Sequence, residues 1–329
     1  MTDHEILSAA VVFADRFYMS EKALVELSCL GGCAFADAKN AKDLSEKIGG
    51  SSSVKIVVSE YVPVNNQVLG QAPALKGVIA YGAGYDHIDV RALQRHGVQV
   101  CNCRGQNAQA VAELVFGLML CLLRRIHRAD PWVKAGEWAK AGRALPEWAS
   151  GRELWRKTLG IIGLGQIGAR VARIARGFDM KIIGYDPFMN SEQYSALEVE
   201  TVVLNELLSR SDVVTLHVPL TPDTEKMIDS RALAKVKPGM ILVNTSRGRV
   251  IEEEAFIDAL QTGRIGGAAL DVFVTEPLPP GHPLTRMENV ILSPHVGALS
   301  REAGDRLSDS VVRQARDILE GRSPEGLIN

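Results

Sequence analysis

The sequence predicts an α/β protein of two domains, each a doubly wound parallel sheet. Three observations lead there. Short apolar runs of strand length alternate with helical patterns nearly from end to end, which marks a parallel sheet covered by helices on both faces. The chain has 329 residues, more than one domain usually holds. Finally, Arg247, Glu276 and His295 each stand just beyond a run that reads as a strand: Met240–Thr245, Ala268–Phe273 and Asn289–Ser293. Residues past the carboxyl ends of parallel strands face the ligand crevice of such a sheet.

Taken in order, the apolar stretch Ile6–Ala14, broken by Ser8, reads as a first strand around Val11–Phe13. Strands follow at Lys55–Ser59, Lys76–Tyr81 and Val98–Cys101, with helical patterns at Ser20–Leu27 and Asp89–His96. Asn107 reads as the N-cap of a longer helix bearing Val111, Leu114, Val115, Leu118 and Leu122 at helical spacing. The segment Pro131–Trp155 carries all four tryptophans, Trp132, Trp138, Trp148 and Trp155. Such aromatics either anchor a contact between subunits or pack a surface excursion locally, and the sequence leaves both readings open. From Thr158 onward the alternation is regular, with strands at Thr158–Ile162, Lys181–Tyr185 and Val213–Val218 before the three already named. A terminal helix, Ser300–Leu319, has Val311, Ala315 and Ile318 along one side and is expected to fold back on the first third.

The composition narrows the function. Lysine and arginine number 37 against 39 acidic residues, a net charge of -2, which gives no electrostatic case for nucleic acid or an anionic membrane. Five cysteines form no CxxC array, so neither a disulfide framework nor a metal site is expected; Cys101 and Cys103 read as core residues. Met1-Thr2-Asp3-His4-Glu5 lacks the basic start of a signal peptide, and Leu114–Leu123 is shorter than the roughly 20 residues that span a bilayer. A soluble, cytoplasmic protein is the expectation.

Gly163-Leu164-Gly165-Gln166-Ile167-Gly168 is GxGxxG, weak alone but specific in its setting. It follows the strand Thr158–Ile162 and opens a helix with Ile167, Val171, Ile174 and Phe178 on one face. The next strand ends at Asp186, 23 residues after Gly163. This is the context of a dinucleotide-binding Rossmann unit. Gly163 permits the turn, Gly165 lets the backbone approach a pyrophosphate, and Gly168 lets the helix pack on the strand. The helix start supplies N–H groups and about half a positive charge. Asp186 would accept from ribose hydroxyls and repel a 2′-phosphate, which favours NAD over NADP, although Lys181 and Asn190 lie nearby in sequence.

The stretches Val243-Asn244-Thr245-Ser246-Arg247-Gly248, Ala269-Leu270-Asp271-Val272-Phe273 with Glu276-Pro277, and Ser293-Pro294-His295-Val296-Gly297 resemble the D-isomer-specific 2-hydroxyacid dehydrogenases. The likeness runs from about Gly77 to Ala298 and is faint before that. It implies that His295 is the acid–base, an imidazole suiting proton exchange near neutral pH. Glu276 would hold its tautomer and stabilise imidazolium. Arg247 would bind the substrate carboxylate and polarise the carbonyl oxygen, which a planar fork of donors does better than lysine. The resemblance also implies NAD-binding roles for Gln166, Ile167, Val218, Thr245, Ser246, Asp271, Gly297 and Ala298, with Arg247 and His295 reaching cofactor as well as substrate. Asp271 would accept from the nicotinamide carboxamide. Tyr81, Gly82, Ala83, Gly84 and Asn107 would meet the substrate carboxylate.

The resulting expectation is an NAD-dependent D-2-hydroxyacid dehydrogenase, phosphoglycerate dehydrogenase-like. A Rossmann domain over residues 106–298 is inserted in a flavodoxin-like substrate domain, 1–105 plus 299–329, with the active site between them. No metal is expected. The resemblance suggests a homodimer built through the nucleotide domains, with the tryptophan-rich segment as its arm. The loop Ala80–Gly84 carries no Lys or Arg, which favours an unphosphorylated acid such as glycerate/hydroxypyruvate or glycolate/glyoxylate, although Arg104, Arg143 or Arg152 could compensate for a 3-phosphoglycerate-class substrate. Rival readings are a formate- or phosphite-type dehydrogenase and an NAD(H)-sensing corepressor-like binding protein. The latter is disfavoured because extensions outside the catalytic fold are expected to be absent here. His87, His96, His127 and His217 read as structural.

Overall fold

The two ends of the chain fold together. In the computed structural model, which describes residues 3–329, the chain through Asn107 joins Ala298–Asn329 in one unit, and Ala108–Gly297 forms a second. Met1 and Thr2, part of the segment read as lacking a leader, lie outside the described residues.

The first unit runs α1 (Asp3–Ser8), β1 (Val11–Phe13), α2 (Glu21–Cys29), β2 (Cys33–Phe35), α3 (Ala41–Ile48), β3 (Ile56–Ser59), α4 (Asn66–Gly70), β4 (Gly77–Ala80), α5 (Val90–Arg95) and β5 (Gln99–Asn102). Its five strands are all parallel, in the order β2-β1-β3-β4-β5. Helices start where short polar side chains satisfy first-turn N–H groups: Ser20 accepts from Ala23, Asn40 from Asp43 and Asp89 from Ala92. The C-terminal helix packs on α2 and β4 of this unit, burying Val311, Ala315 and Ile318 beside Phe13, Leu27 and Ile79. Gly77 is needed for that approach, since a Cβ there would lie 2.6 Å from Ile318 Cδ1.

Two readings of this region are corrected. Ile6–Ser8 belongs to α1, not to the first strand, because Ile6 packs among Ala9, Leu44 and Ile48 and the chain turns before pairing begins at Val11. Asn107 precedes the long helix but its side chain does not cap it; Oδ1 is buried without a hydrogen-bond partner among the described residues. The unread elements β2, α3 and α4 are short, and β2 follows the turn glycines Gly31 and Gly32, so its three residues show no periodicity. Cys101 and Cys103 are buried, and desolvation pushes both thiols up, Cys103 to about 11, as befits packing residues.

The second unit contains α6 (Ala108–Leu123), α7 (Ile126–Lys134), α8 (Glu137–Ala141), β6 (Thr158–Ile162), α9 (Gln166–Arg176), β7 (Lys181–Tyr185), α10 (Ser191–Ala196), β8 (Glu200–Thr201), α11 (Leu204–Arg210), β9 (Val213–Leu216), α12 (Ser230–Leu233), β10 (Met240–Asn244), α13 (Glu253–Gln261), β11 (Ile265–Leu270) and β12 (Val290–Leu292). The helix Arg301–Leu319, α14, returns to the first unit. All seven strands are parallel, in the order β12-β11-β10-β9-β6-β7-β8. The chain enters at β6, builds outward through β7 and β8, then returns to β9 on the other side. The order therefore reverses between β6 and β9, where a parallel sheet opens its crevice. The doubly wound parallel fold expected from the alternation is the one observed in both units.

One strand is displaced from its sequence reading. β11 spans Ile265–Leu270 rather than Ala268–Phe273, because Ile265 and Gly267 pair with Met240 and Ile241 of β10 despite glycine's weak strand preference, with Gly266 as the extra residue where the register shifts. A Cβ at Gly266 would lie 2.5 Å from Gly239 O, so close backbone packing selects glycine there. The shift leaves Asp271 as the first residue past the strand.

Candidate active site

The glycine-rich loop is shaped by what a side chain would strike. At Gly163, where φ is +88°, a Cβ would meet His217 O at 2.6 Å; at Gly168 it would meet Gly163 O at 2.1 Å. At Gly165 it would meet nothing within 4 Å. Gly163 and Gly168 therefore serve packing, whereas Gly165 leaves room over the start of α9, whose N-cap carries no side-chain hydrogen bond. Open space above helix N–H groups is what a pyrophosphate requires, so these residues fit a dinucleotide. Gln166 and Ile167 supply the first of those groups, and Val218 flanks Gly163, with Cγ1 3.0 Å from the position of its missing Cβ. Asp186 follows β7, its Oδ2 accepting from Leu164 N–H at 2.9 Å and its Oδ1 from Phe188 N–H at 3.0 Å.

His217 lies beneath this loop with Nε2 3.0 Å from Thr215 Oγ1, and burial pushes its pKa down to about 3. It stays neutral, in keeping with a structural role.

The charged residues of the last third come together at the strand ends. His295 Nδ1 lies 2.7 Å from Glu276 Oε2, while Glu276 Oε1 accepts from Phe273 N–H at 2.8 Å. Burial pushes the Glu276 carboxyl up, but the hydrogen bonds from His295 and Phe273 and the charges of His295 and Arg247 outweigh it and hold it below the ordinary glutamate value. Arg247 is braced from β10: Asn244 Nδ2 donates to Arg247 O at 2.9 Å, and Asn244 Oδ1 accepts from Ser246 N–H and Oγ at 3.0 and 2.8 Å. Next to it, Gly248 allows a close crossing, since a Cβ there would fall 1.9 Å from Phe273 C. That crossing sets the β10 loop against the residue whose N–H holds Glu276. Thr245 Oγ1 is buried without a hydrogen-bond partner among the described residues, a polar atom left for a ligand.

His295 has φ +53°, a left-handed conformation that costs a non-glycine residue about 1–3 kcal/mol. Asp271 offsets it. This carboxylate is 1% exposed; Oδ1 accepts from Ser293 Oγ at 2.6 Å and Val296 N–H at 2.9 Å, Oδ2 from Gly297 N–H at 2.8 Å, and its carbonyl from His295 N–H at 2.9 Å. Asp271 thus holds the loop that carries the imidazole, with one lone pair of Oδ2 left over. Sequence reasoning missed this bracing, along with Asn244 and Ser293. The available signal was a polar residue ending an otherwise apolar run, as in Met240-Ile241-Leu242-Val243-Asn244.

The remaining candidates are dispersed. Tyr81–Gly84 belong to the first unit, where Asn102 Nδ2 donates to Ala83 O at 2.7 Å and Gly82 O accepts from Cys103 N–H at 2.9 Å. Asn107 and Ala298 fall in that unit and Gly297 in the second. Arg152 cannot compensate for a missing phosphate cation, because it donates to Gly239 O, before the amino end of β10 and opposite Arg247. Arg143 lines a surface hollow with Trp138 and Leu145. Among the described residues no group of His, Cys, Asp and Glu is placed to hold a metal ion, and no helix is long and apolar enough to cross a membrane.

Comparison with known proteins supplies the context. Residues 116–297, more than half the chain, match the family model described as D-isomer specific 2-hydroxyacid dehydrogenase, NAD binding domain. The chain is similar to a glyoxylate reductase of Korarchaeum cryptofilum, 41% identical over 81% of this chain and 80% of that protein. It is similar as well to a D-3-phosphoglycerate dehydrogenase of Methanocaldococcus jannaschii, 39% identical over 94% of this chain but 58% of that longer protein. Among solved structures, D-lactate dehydrogenase from Aquifex aeolicus in complex with NAD and lactic acid superposes with a TM-score of 0.81 at 27% identity, covering 94% of this chain and 96% of that one.

Proposed function

Because this chain belongs to the D-isomer-specific 2-hydroxyacid dehydrogenase family, and so is an NAD(H)-binding oxidoreductase acting on a CH–OH group, we propose that it interconverts a small unphosphorylated 2-keto acid and the corresponding 2-hydroxy acid, the D isomer where C2 is a stereocentre. The glyoxylate/glycolate and hydroxypyruvate/glycerate pairs are the class that fits. The observation that carries this reading is the 2.7 Å Glu276–His295 contact beyond the ends of β11 and β12, beside the guanidinium-bearing loop of β10.

NAD(H), when bound, exchanges the electron pair and hydrogen at the substrate's C2. The chain's own residues do the rest. With Nδ1 held by Glu276, His295 gives or takes the oxygen-bound proton through Nε2. Glu276, ionised at neutral pH, fixes the ring's orientation and balances the imidazolium charge. Arg247 grips the carboxylate and draws negative charge onto the carbonyl oxygen. Tyr81–Gly84 and Asn107 are proposed as the first unit's substrate residues. Thr245 Oγ1 and the remaining Asp271 lone pair are proposed to meet the nicotinamide amide.

Two features of the first unit favour an unphosphorylated substrate. The Ala80–Gly84 turn lacks a cation. Beyond β3, the N–H groups of Glu60, Tyr61 and Val62 all point to the Asp15 carboxylate, which therefore occupies the nest an anion would otherwise take. Purified protein with NADH and a panel of glyoxylate, hydroxypyruvate, pyruvate and phosphohydroxypyruvate, followed by NADH absorbance, tests the proposal. Highest kcat/KM on the phosphorylated acid would reject the substrate class, and no turnover of any would reject the reaction.

Asp186 is proposed to favour NADH by repelling a 2′-phosphate. Replacement by Ser should narrow the ratio of kcat/KM for NADH over NADPH; an unchanged ratio counts against a ribose role. We also propose a homodimer joined through the tryptophan-rich segment. No residue of α7 or α8 is buried, and Trp138 and Leu145 are 52% and 65% exposed, an apolar surface that a second copy would cover. Light scattering should give twice the chain mass, falling toward one chain when Trp138 becomes Asp. A monomeric wild type would remove this proposal.

A further inference from the structure

We propose that Tyr194 is a positioning residue that fixes Asp186 for the cofactor ribose and thereby sets both nucleotide affinity and the preference for NADH. The proposal rests on the NAD(H) role of Asp186 given above.

Asp186 is the first residue beyond β7, where the strand ladder no longer satisfies its backbone. The Tyr194 hydroxyl meets both halves of that backbone. It accepts from Asp186 N–H at 2.5 Å and donates to Asp186 C=O at 3.1 Å, where Met189 N–H is a second donor at 3.3 Å. Tyr194 is itself held: it is 4% exposed, and its ring fills the space over Gly184, where a Cβ would lie 3.3 Å from Cε1. Its helix, α10, begins with a reciprocal cap in which Asn190 accepts from Gln193 N–H and Gln193 accepts from Asn190 N–H, both at 2.9 Å.

The carboxylate of Asp186 is thus anchored through its backbone by Tyr194 and through its oxygens by Leu164 and Phe188 N–H. An acid already held in place accepts ribose hydroxyls without an ordering cost. It also cannot swing aside to admit a 2′-phosphate. Tyr194 acts on the cofactor only through Asp186, which makes the proposal separable from a general packing role.

The test is nucleotide binding without substrate, by calorimetry on the full chain. Tyr194→Phe keeps the ring over Gly184 and removes the hydroxyl. With both hydrogen bonds to the Asp186 peptide gone, the dissociation constant for NADH should rise about five- to tenfold, while that for NADPH moves less. In an Asp186→Ala background the same replacement should leave NADH affinity unmoved, as a double-mutant cycle requires of residues acting as one unit. An unchanged NADH constant in Tyr194→Phe, or an equal rise in the Asp186→Ala background, overturns the proposal. Should Tyr194→Phe not fold, the double variant Asn190→Ala/Gln193→Ala, on the exposed cap of α10, decides alone: weaker NADH binding supports the proposal and unaltered binding ends it. Wild-type protein that binds neither nucleotide would instead reject the NAD(H) reading of Asp186.

Discussion

Replacing His295 by Ala is expected to lower kcat by a factor of about 10² to 10⁴, the usual worth of a positioned general acid–base. On the proposed mechanism the imidazole moves a proton, so the loss should fall on kcat and cofactor affinity should change far less. Glu276 is proposed to contribute through the same ring, whose Nδ1 lies 2.7 Å from its Oε2. Its carboxyl is held below the ordinary glutamate value, so the ionised form persists through the neutral range. The sign follows from linkage: a carboxyl whose folded value is lowered contributes its stabilisation above the unfolded value of 4.5 and loses it as pH falls through the folded one. Acid loss of the Glu276–His295 pair therefore belongs below pH 4.5, and Glu276→Gln should lower activity at every pH above that. Steady-state rates of both variants across pH are the check. Full activity of His295→Ala at all pH values would eliminate the acid–base assignment.

Replacing Arg247 by Ala should cost roughly 2.7–4 kcal/mol of transition-state stabilisation, by analogy with loss of one oxyanion donor. Part of the effect is indirect, because the Arg247 charge helps to keep Glu276 ionised. Lysine should recover only a fraction, since an ammonium cannot present two parallel donors to a carboxylate. The measurement is kcat/KM on the preferred keto acid for wild type, Ala and Lys variants. If kcat and KM both stay at wild-type values, Arg247 is a surface charge and the reaction centre must be sought elsewhere.

Much of this was legible in the chain. β6, β7 and α9 lie within a residue of where alternation and the glycine spacing put them, because strand and helix periods, turn glycines and caps are local properties. The first third was harder. β2 has three residues and α4 five, too few to display a period, and Ile6 packs on a helix partner nearly 40 positions away that no local pattern encodes. β11 was displaced because glycine usually weakens strands, whereas here the neighbouring backbone leaves room for nothing larger.

By itself the sequence determined the fold class, the dinucleotide loop and the identities of the arginine, glutamate and histidine beyond three strands. Each is written in residue type and spacing along one stretch of chain. Tertiary structure alone decided how those groups are held: Asp271 spending its buried carboxylate on a loop 22 to 26 residues away, Gly248 letting two backbones cross, and Tyr194 clasping the Asp186 peptide. These are contacts of geometry rather than pattern, since a hydrogen bond or a steric limit depends on where two atoms arrive after folding, which no local periodicity specifies.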